Sequence, residues 1–140
     1  MDSRRMTIVK EVWDTVAERG LVAAFDQLLL DSHEDVEVQP YSAGDDRVLR
    51  GAEEIRAFFR DAEDSGISIR LKPRQFDEED DRVLVAGSIR VVRPDGSFAE
   101  TMVRWIYAFR DDQLERLFWE PRAGYRPKST SRGAGVIPRA

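Results

Sequence analysis

The chain has 140 residues, with 22 Lys and Arg against 27 Asp and Glu, one His and no Cys. That length fits one domain with a core of its own, while zero Cys excludes disulfide scaffolds, thiol catalysis and cysteine-ligated metals. A lone His excludes the common two- and three-His metal sites, and a net charge of −5 argues against a duplex-binding surface, which needs clustered cations.

The opening MDSRRMTIVKEV lacks the apolar stretch of a signal peptide, and no apolar run approaches a membrane span. We therefore expect a cytoplasmic protein with no membrane partner. Ile8, Val9, Val12, Trp13 and Val16 recur at the three- to four-residue interval that makes one apolar stripe of a helix. Gly20 interrupts the pattern, and Leu21, Val22, Phe25, Leu28 and Leu29 resume it as a second helix. His33, in DSHED, is read as a surface cap residue, with a proton shuttle as the alternative. From Asp35 to Tyr41 the period falls to two, Val36 and Val38 alternating with Glu37 and Gln39, so a short strand ends at Pro40. After the polar loop SAGDD comes a third helix with Ile55, Phe58 and Phe59 on one side and Glu53 and Glu54 in its first turn.

From residue 67 the pattern predicts strands: Ile67, Ile69 and Leu71 alternate with Ser68, Arg70 and Lys72, and runs at 82–93, 98–110 and 114–120 follow. The acidic stretch 77–81, DEEDD, lacks the alternating ligands and central Gly of a calcium loop and is read as a solvated turn. Four of the 22 cations and none of the 27 acids fall within 125–140, so residues 1–124 carry −9. We therefore divide the chain into a domain over 1–124 and a basic tail over 125–140, flexible or docked on a partner. The tail's Arg126, Lys128, Arg132 and Arg139 are read as a solubilising extension, and no nucleic-acid partner is expected. Helices gathered before a mostly antiparallel sheet make an α+β fold, and neither Gly-rich phosphate fingerprint occurs.

Asp95-Gly96 signals a two-residue hairpin turn. Counting outward from it predicts Ala86 opposite Trp105 and Leu84 opposite Tyr107, with Arg90, Ser88 and Thr101 on that same face. The other face would carry Val83, Val85, Ile89, Val91 and Ile106. Both faces are then largely apolar, and three helices cover only one, so a homodimer through the second face is expected. Arg90 on an apolar face needs an anionic or hydrogen-bonding partner, which Glu37 or a ligand supplies. The alternative places Arg90 near the sheet edge, reaching water.

The segment RVLRGAEEIRAFF after a short strand ending in Pro, followed by long strands with a DG turn, resembles SnoaL-like proteins of the nuclear-transport-factor-2-like superfamily. The resemblance spans about residues 8–122 and implies a cone-shaped α+β barrel, a curved sheet around three helices, dimerising through the convex face. Where ketosteroid isomerases of that superfamily carry a basic Asp before the Pro, this chain has Gln39. Their oxyanion-stabilising acid falls by counting at Trp105, so that mechanism is not expected. SnoaL-type cyclases use an acid late in the sheet, for which Glu120 is the candidate. A two-residue turn at Asp111-Asp112 would put Arg116, Phe118 and Glu120 on the concave side, and a one-residue change would exchange them for Glu115, Leu117 and Trp119. The Asp-Arg-Asp pattern of epoxide hydrolases has an echo in Glu37 and Arg90.

The expectation is an apolar pocket for a small hydrophobic metabolite, walled by Trp13, Phe58, Trp105 and Tyr107 with Arg90, Gln39 and Glu37 as polar contacts. If the protein is an enzyme, Glu37 or Glu120 carries metal-free proton transfer or water activation, with no cofactor. The other reading is a ligand-binding or dimeric scaffold module without catalysis.

Overall fold

The computed structural model describes residues 2–40, 47–121 and 128–129. Helix α1 (Arg4–Arg19) begins where the Ser3 hydroxyl accepts from the Met6 amide at 3.1 Å, and it ends at Gly20. Helix α2 (Leu21–Leu29) follows after that single residue. Helix α3 (Gly51–Asp64) has no side-chain cap from Arg50, but Glu54 Oε2 accepts from the Arg50 amide at 2.9 Å. The helix stripes predicted by spacing are the buried ones: Ile8, Val9, Val12 and Trp13 on α1, Leu28 on α2, Ile55 and Phe59 on α3.

Among the described residues seven strands form one mixed sheet: β1 (Ser32–Val38), β2 (Leu49–Arg50), β3 (Ser68–Glu79), β4 (Arg82–Val92), β5 (Phe98–Arg110), β6 (Gln113–Pro121) and β7 (Lys128–Ser129). Six run in the order β2-β1-β6-β5-β4-β3, antiparallel except for the parallel pair β1–β6. Strand β7 pairs with β5 at Ala99 and Glu100, just past the point where β6 leaves it at Val103. The architecture is α+β, as expected. Strand β3 is longer than its alternation suggested and takes in most of DEEDD, leaving Asp80 and Asp81 as the turn. It is an edge strand, with Pro73 in its middle and a bulge between Pro73 and Gln75. The loop SAGDD and all of the tail except β7 lie outside the described residues. Among the described residues no helix is long and apolar enough to cross a membrane.

The central hairpin corrects the predicted register. Val85, not Ala86, stands opposite Trp105, and Val83, not Leu84, opposite Tyr107. The turn is a three-residue loop, Pro94-Asp95-Gly96, closed by Arg93 and Ser97, with the Gly96 amide donating to the Arg93 carbonyl. Proline suits the first central position of a type I turn, and Gly96, at φ 88°, supplies the left-handed residue that completes it. Asp95 Oδ1 accepts from the Ser97 amide at 2.8 Å and from its hydroxyl at 2.6 Å, and these bonds hold the carboxyl below its ordinary range. One extra loop residue turns every β4 side chain to the opposite face from the one predicted.

At the next turn Asp111 and Asp112 form the two-residue loop, the first of the two alternatives, both at positive φ, and Phe109 faces Leu114. A bulge then leaves Glu115 unpaired, so Leu117 pairs with Tyr107 and Trp119 with Trp105. Both therefore share the inner face. The core joins that face to the helices: Val83, Val85, Ile89, Val103, Phe109 and Leu114 are buried with Val9, Leu28 and Ile55. Each such side chain contributes about 1.5–3 kcal/mol by leaving water.

Candidate functional site

Beside this core the packing leaves a cavity of about 650 Å³. Its sheet wall comes from the inner-facing positions of four strands: Ile69 and Leu71, Ile89 and Val91, Trp105 and Tyr107, Leu117 and Trp119. The helices close it with Trp13 and Val16 from α1, Phe25 from α2, and Phe58 and Phe59 from α3. The aromatic wall is interlocked. Trp13 tilts against Trp105 at 4.7 Å between ring centroids, Phe25 stacks on Phe59 at 4.0 Å, and Phe58 meets Phe59 edge-on at 5.1 Å. The Trp119 indole N–H donates to the Pro40 carbonyl at 3.3 Å.

Polar lining is sparse. Gln39 enters just past the end of β1, where its amide donates to the Leu117 carbonyl at 2.8 Å and the in–out alternation of the strand ends. Among the described residues, Arg47, Asp61, Ser65 and Arg93 are the remaining polar lining. The Arg47 guanidinium lies 5.6 Å from the Phe58 ring centroid, and Arg93 Nη1 donates to Ser97 Oγ at 3.3 Å. Tyr107 is buried in the wall, 3% exposed, and burial pushes its phenol well above its ordinary range. The Trp13 indole N–H acts in the opposite direction without reaching hydrogen-bond geometry.

The structure brings together five of the eight residues that the sequence nominated: Trp13, Phe58, Trp105, Tyr107 and Gln39 all line the cavity. It separates the other three from it. Arg90 went with the rest of β4 to the outer face, opposite Glu100, where its guanidinium lies 4.0 Å from the Phe98 ring centroid. Glu37 alternates outward between the buried Val36 and Val38, and its Oε2 pairs with Arg50 Nε at 3.0 Å. Glu120 stands opposite Arg104 on the outer face and is ion-paired to it. A carboxylate held there cannot serve as base for a molecule inside the cavity. His33 lies outside the cavity too, its Nε2 3.0 Å from the Arg110 carbonyl oxygen.

Sequence reasoning did not nominate Phe25 and Phe59 as lining, and it left Leu117 and Trp119 as the alternative inner set. The first two sit at helical spacing, where Phe59 belongs to the core and Phe25 packs against it. The last two depended on a bulge that no Gly or Pro announces. Chemically, the chamber presents apolar surface, π faces and one deeply buried phenol. Asp61 is the one carboxylate among the described lining residues, on the exposed surface of α3. Among the described residues no group of three or more His, Asp or Glu side chains is placed to hold a metal ion.

Among solved structures, the chain is similar to an NTF2-like protein of unknown function from Burkholderia pseudomallei, at 22% identity and a TM-score of 0.71, covering 86% of this chain and 92% of that one. It is similar to TerC, co-crystallised with polyporic acid, at 23% identity and a TM-score of 0.69, with the same coverages of 86% and 92%. A Mesorhizobium loti protein described as a SnoaL-like polyketide cyclase matches at 11% identity and a TM-score of 0.64, over 81% of this chain and 96% of that one. The structural neighbours are thus NTF2-like proteins, with SnoaL-like polyketide cyclases among them. Identities at this level establish the shared fold alone. No protein-family model matches the sequence, and no curated protein matches it.

Proposed function

We propose that this chain is a SnoaL-like binding protein whose sheet and helices form a cone around one small, largely apolar aromatic molecule. The observation that carries this reading is the composition of the 650 Å³ cavity, which seven aromatic side chains among the described residues line. Its volume falls in the range of about 300–1,000 Å³ typical of small-molecule sites, and its few polar groups match their usual lining. TerC, co-crystallised with polyporic acid, supports a small organic ligand on this fold. The binding reading is preferred to the enzymatic one because both candidate carboxylates, Glu37 and Glu120, are ion-paired outside the cavity. Catalysis by proton abstraction would need a base that reaches the ligand.

The test uses the protein's own tryptophans. All three, Trp13, Trp105 and Trp119, line the cavity, so a ligand entering it perturbs every indole. The protein purified without additives goes to native mass spectrometry, then to titration with bicyclic and tricyclic aromatic ketones, quinones and hydrocarbons. Saturable change in tryptophan emission, with a raised melting temperature, is expected. A panel that leaves both unchanged up to about 1 mM, where Kd corresponds to about −4 kcal/mol, sinks the proposal.

The same reading includes a homodimer through the outer face of the sheet. That face carries Leu84, Ile106 and Phe118, with the Arg82 and Arg116 guanidinium groups 5.9 Å and 4.6 Å from the Phe118 ring centroid. Ile106 there is 3% exposed within a single chain. Sedimentation at about 10 µM, a concentration at which a micromolar dimer is well populated, decides it. A monomer mass rules it out.

A further inference from the structure

The charged lining of the cavity gathers where the chamber opens. Ala24, Leu28, Val38 and Tyr107 line its depth and are buried, whereas Arg47, Asp61, Ser65, Ile67 and Pro94 are exposed lining residues and mark its rim. Two turns meet at that rim: a Cβ at Gly66, just past α3, would stand 3.4 Å from Pro94 Cγ in the β4–β5 loop. The same register that turns Arg90 outward carries Arg93 inward, two positions beyond Val91 on the cavity side. Arg93 donates to the neutral Ser97 hydroxyl at 3.3 Å, and its charge also acts on Asp95, which is outside the lining. Arg47 stands on the approach to β2 with its guanidinium 5.6 Å from the ring centroid of Phe58, a wall residue. Among the described lining residues there are thus two guanidinium groups against one carboxylate, Asp61, in a chain whose net charge is −5.

We propose that the cavity takes amphipathic aromatic acids, the apolar ring seated among the tryptophans and an ionised carboxylate left at the rim, where Arg47 and Arg93 attract it. A chamber for neutral molecules has no use for cations at its opening, and a local excess of positive charge in a chain that is negative overall selects an anion there. The rim is also the one place in this site where a charge keeps contact with water, so neither the carboxylate nor the guanidinium groups meet the cost of burial. A guanidinium presents its donors in a planar fork that matches a carboxylate. Asp61, on the same rim, opposes the anion and weakens its binding. This polarity sets the orientation as well, with the ring entering first and the acid facing out. The inference rests on the cavity being a ligand site.

The experiment measures, by isothermal titration calorimetry near pH 7, the affinities of 1-naphthaleneacetate and 1-naphthaleneacetamide, which share a ring and a shape and differ in charge. The quantity of interest is the acetate-to-acetamide affinity ratio in the wild type, Arg47→Met, Arg93→Met, the two Lys counterparts and Asp61→Asn, each checked by circular dichroism. We expect a ratio above one in the wild type and a fall of about two- to fivefold in each Met variant, the range for a partly exposed ion pair. The Lys variants keep the charge and should keep more of the ratio, and Asp61→Asn should raise it. Acetamide affinity should stay within about twofold throughout, because the apolar contacts that bind it persist. Raising salt to about 0.5 M should weaken the acetate alone, since exposed charges are screened. The turn bonds of Arg93 run through its backbone, so Arg93→Met should fold; if it does not, the Arg47 and Asp61 variants carry the test. An acetamide that binds the wild type as well as the acetate overturns the anion preference, and a ratio unchanged in the Met variants overturns the assignment to these arginines, with the binding reading left standing in both cases. Failure of both probes to bind the wild type overturns the inference together with the reading beneath it.

Discussion

Gly87 lies directly beneath the Trp105 ring: a Cβ at Gly87 would stand 2.9 Å from Trp105 Cζ3 and 2.2 Å from the Lys72 carbonyl oxygen. Glycine in the middle of a strand ordinarily weakens it, and here it admits a close approach that fixes where a cavity wall stands. Gly87→Ala should therefore push β3 and the indole apart. We expect a loss of about 2–3 kcal/mol in urea unfolding, the range for an overpacked core, with a shift in tryptophan emission. An unchanged midpoint contradicts this account of the strand.

Tyr107 links stability to alkaline pH. Its folded-state pKa is raised above the ordinary value of 10.0 by burial. Below pH 10 the phenol is neutral in both folded and unfolded chains, so it leaves stability unaffected by pH. Above pH 10 the unfolded chain releases the proton while the folded one retains it, so stability falls as pH rises. Between pH 9.5 and 11 the melting temperature of the wild type should drop further than that of Tyr107→Phe. Equal slopes would contradict the burial of this hydroxyl.

Arg90→Met separates the observed register from the predicted one. Its guanidinium packs on Phe98 across the sheet from the cavity, so ligand affinity should stay within about twofold. Stability should fall by no more than about 1 kcal/mol, the worth of a partly exposed cation–π contact. A collapse of binding in this variant would return Arg90 to the pocket.

The turn that fixes that register depends on Gly96 at φ 88°, with open space where a Cβ would stand. Only backbone strain opposes substitution there. Gly96→Ala should cost about 1–2 kcal/mol in thermal or urea unfolding, and Gly96→Asn less, since Asn tolerates the left-handed region. Equal losses for Ala and Asn would point to a cause other than backbone strain.

Helix stripes and strand runs were legible because Val12 and Trp13, or Ile69 and Leu71, obey simple periods. Register was harder. The Asp95-Gly96 pair suggested a two-residue turn, yet Pro94 before it carried the better signal, since Pro-Asp-Gly builds a type I turn plus one left-handed residue. Reading that proline would have sent Arg90 outward from the start. The bulge at Glu115 has no such marker. It is set by the fit of Leu117 and Trp119 against Tyr107 and Trp105, a tertiary effect outside local sequence. Glu37 was drawn toward the pocket by its chemistry, although the alternation of Val36 and Val38 around it already pointed it away. Aromatic residues survived these errors because Trp105 and Tyr107 lie on β5, whose inner face the miscount left unchanged.

Strand β3 has one more consequence, for how the molecule behaves in a crowd. A free sheet edge is a template on which other chains polymerise. Here Pro73 has no N–H to offer a newcomer, the neighbouring bulge breaks the spacing of the remaining donors, and Arg70, Lys72 and Arg74 ring the margin with exposed positive charge. The opposite margin, β2, is two residues long. With one edge spoiled and the other cut to two residues, the described margins of the sheet offer a poor template for growth by strand addition.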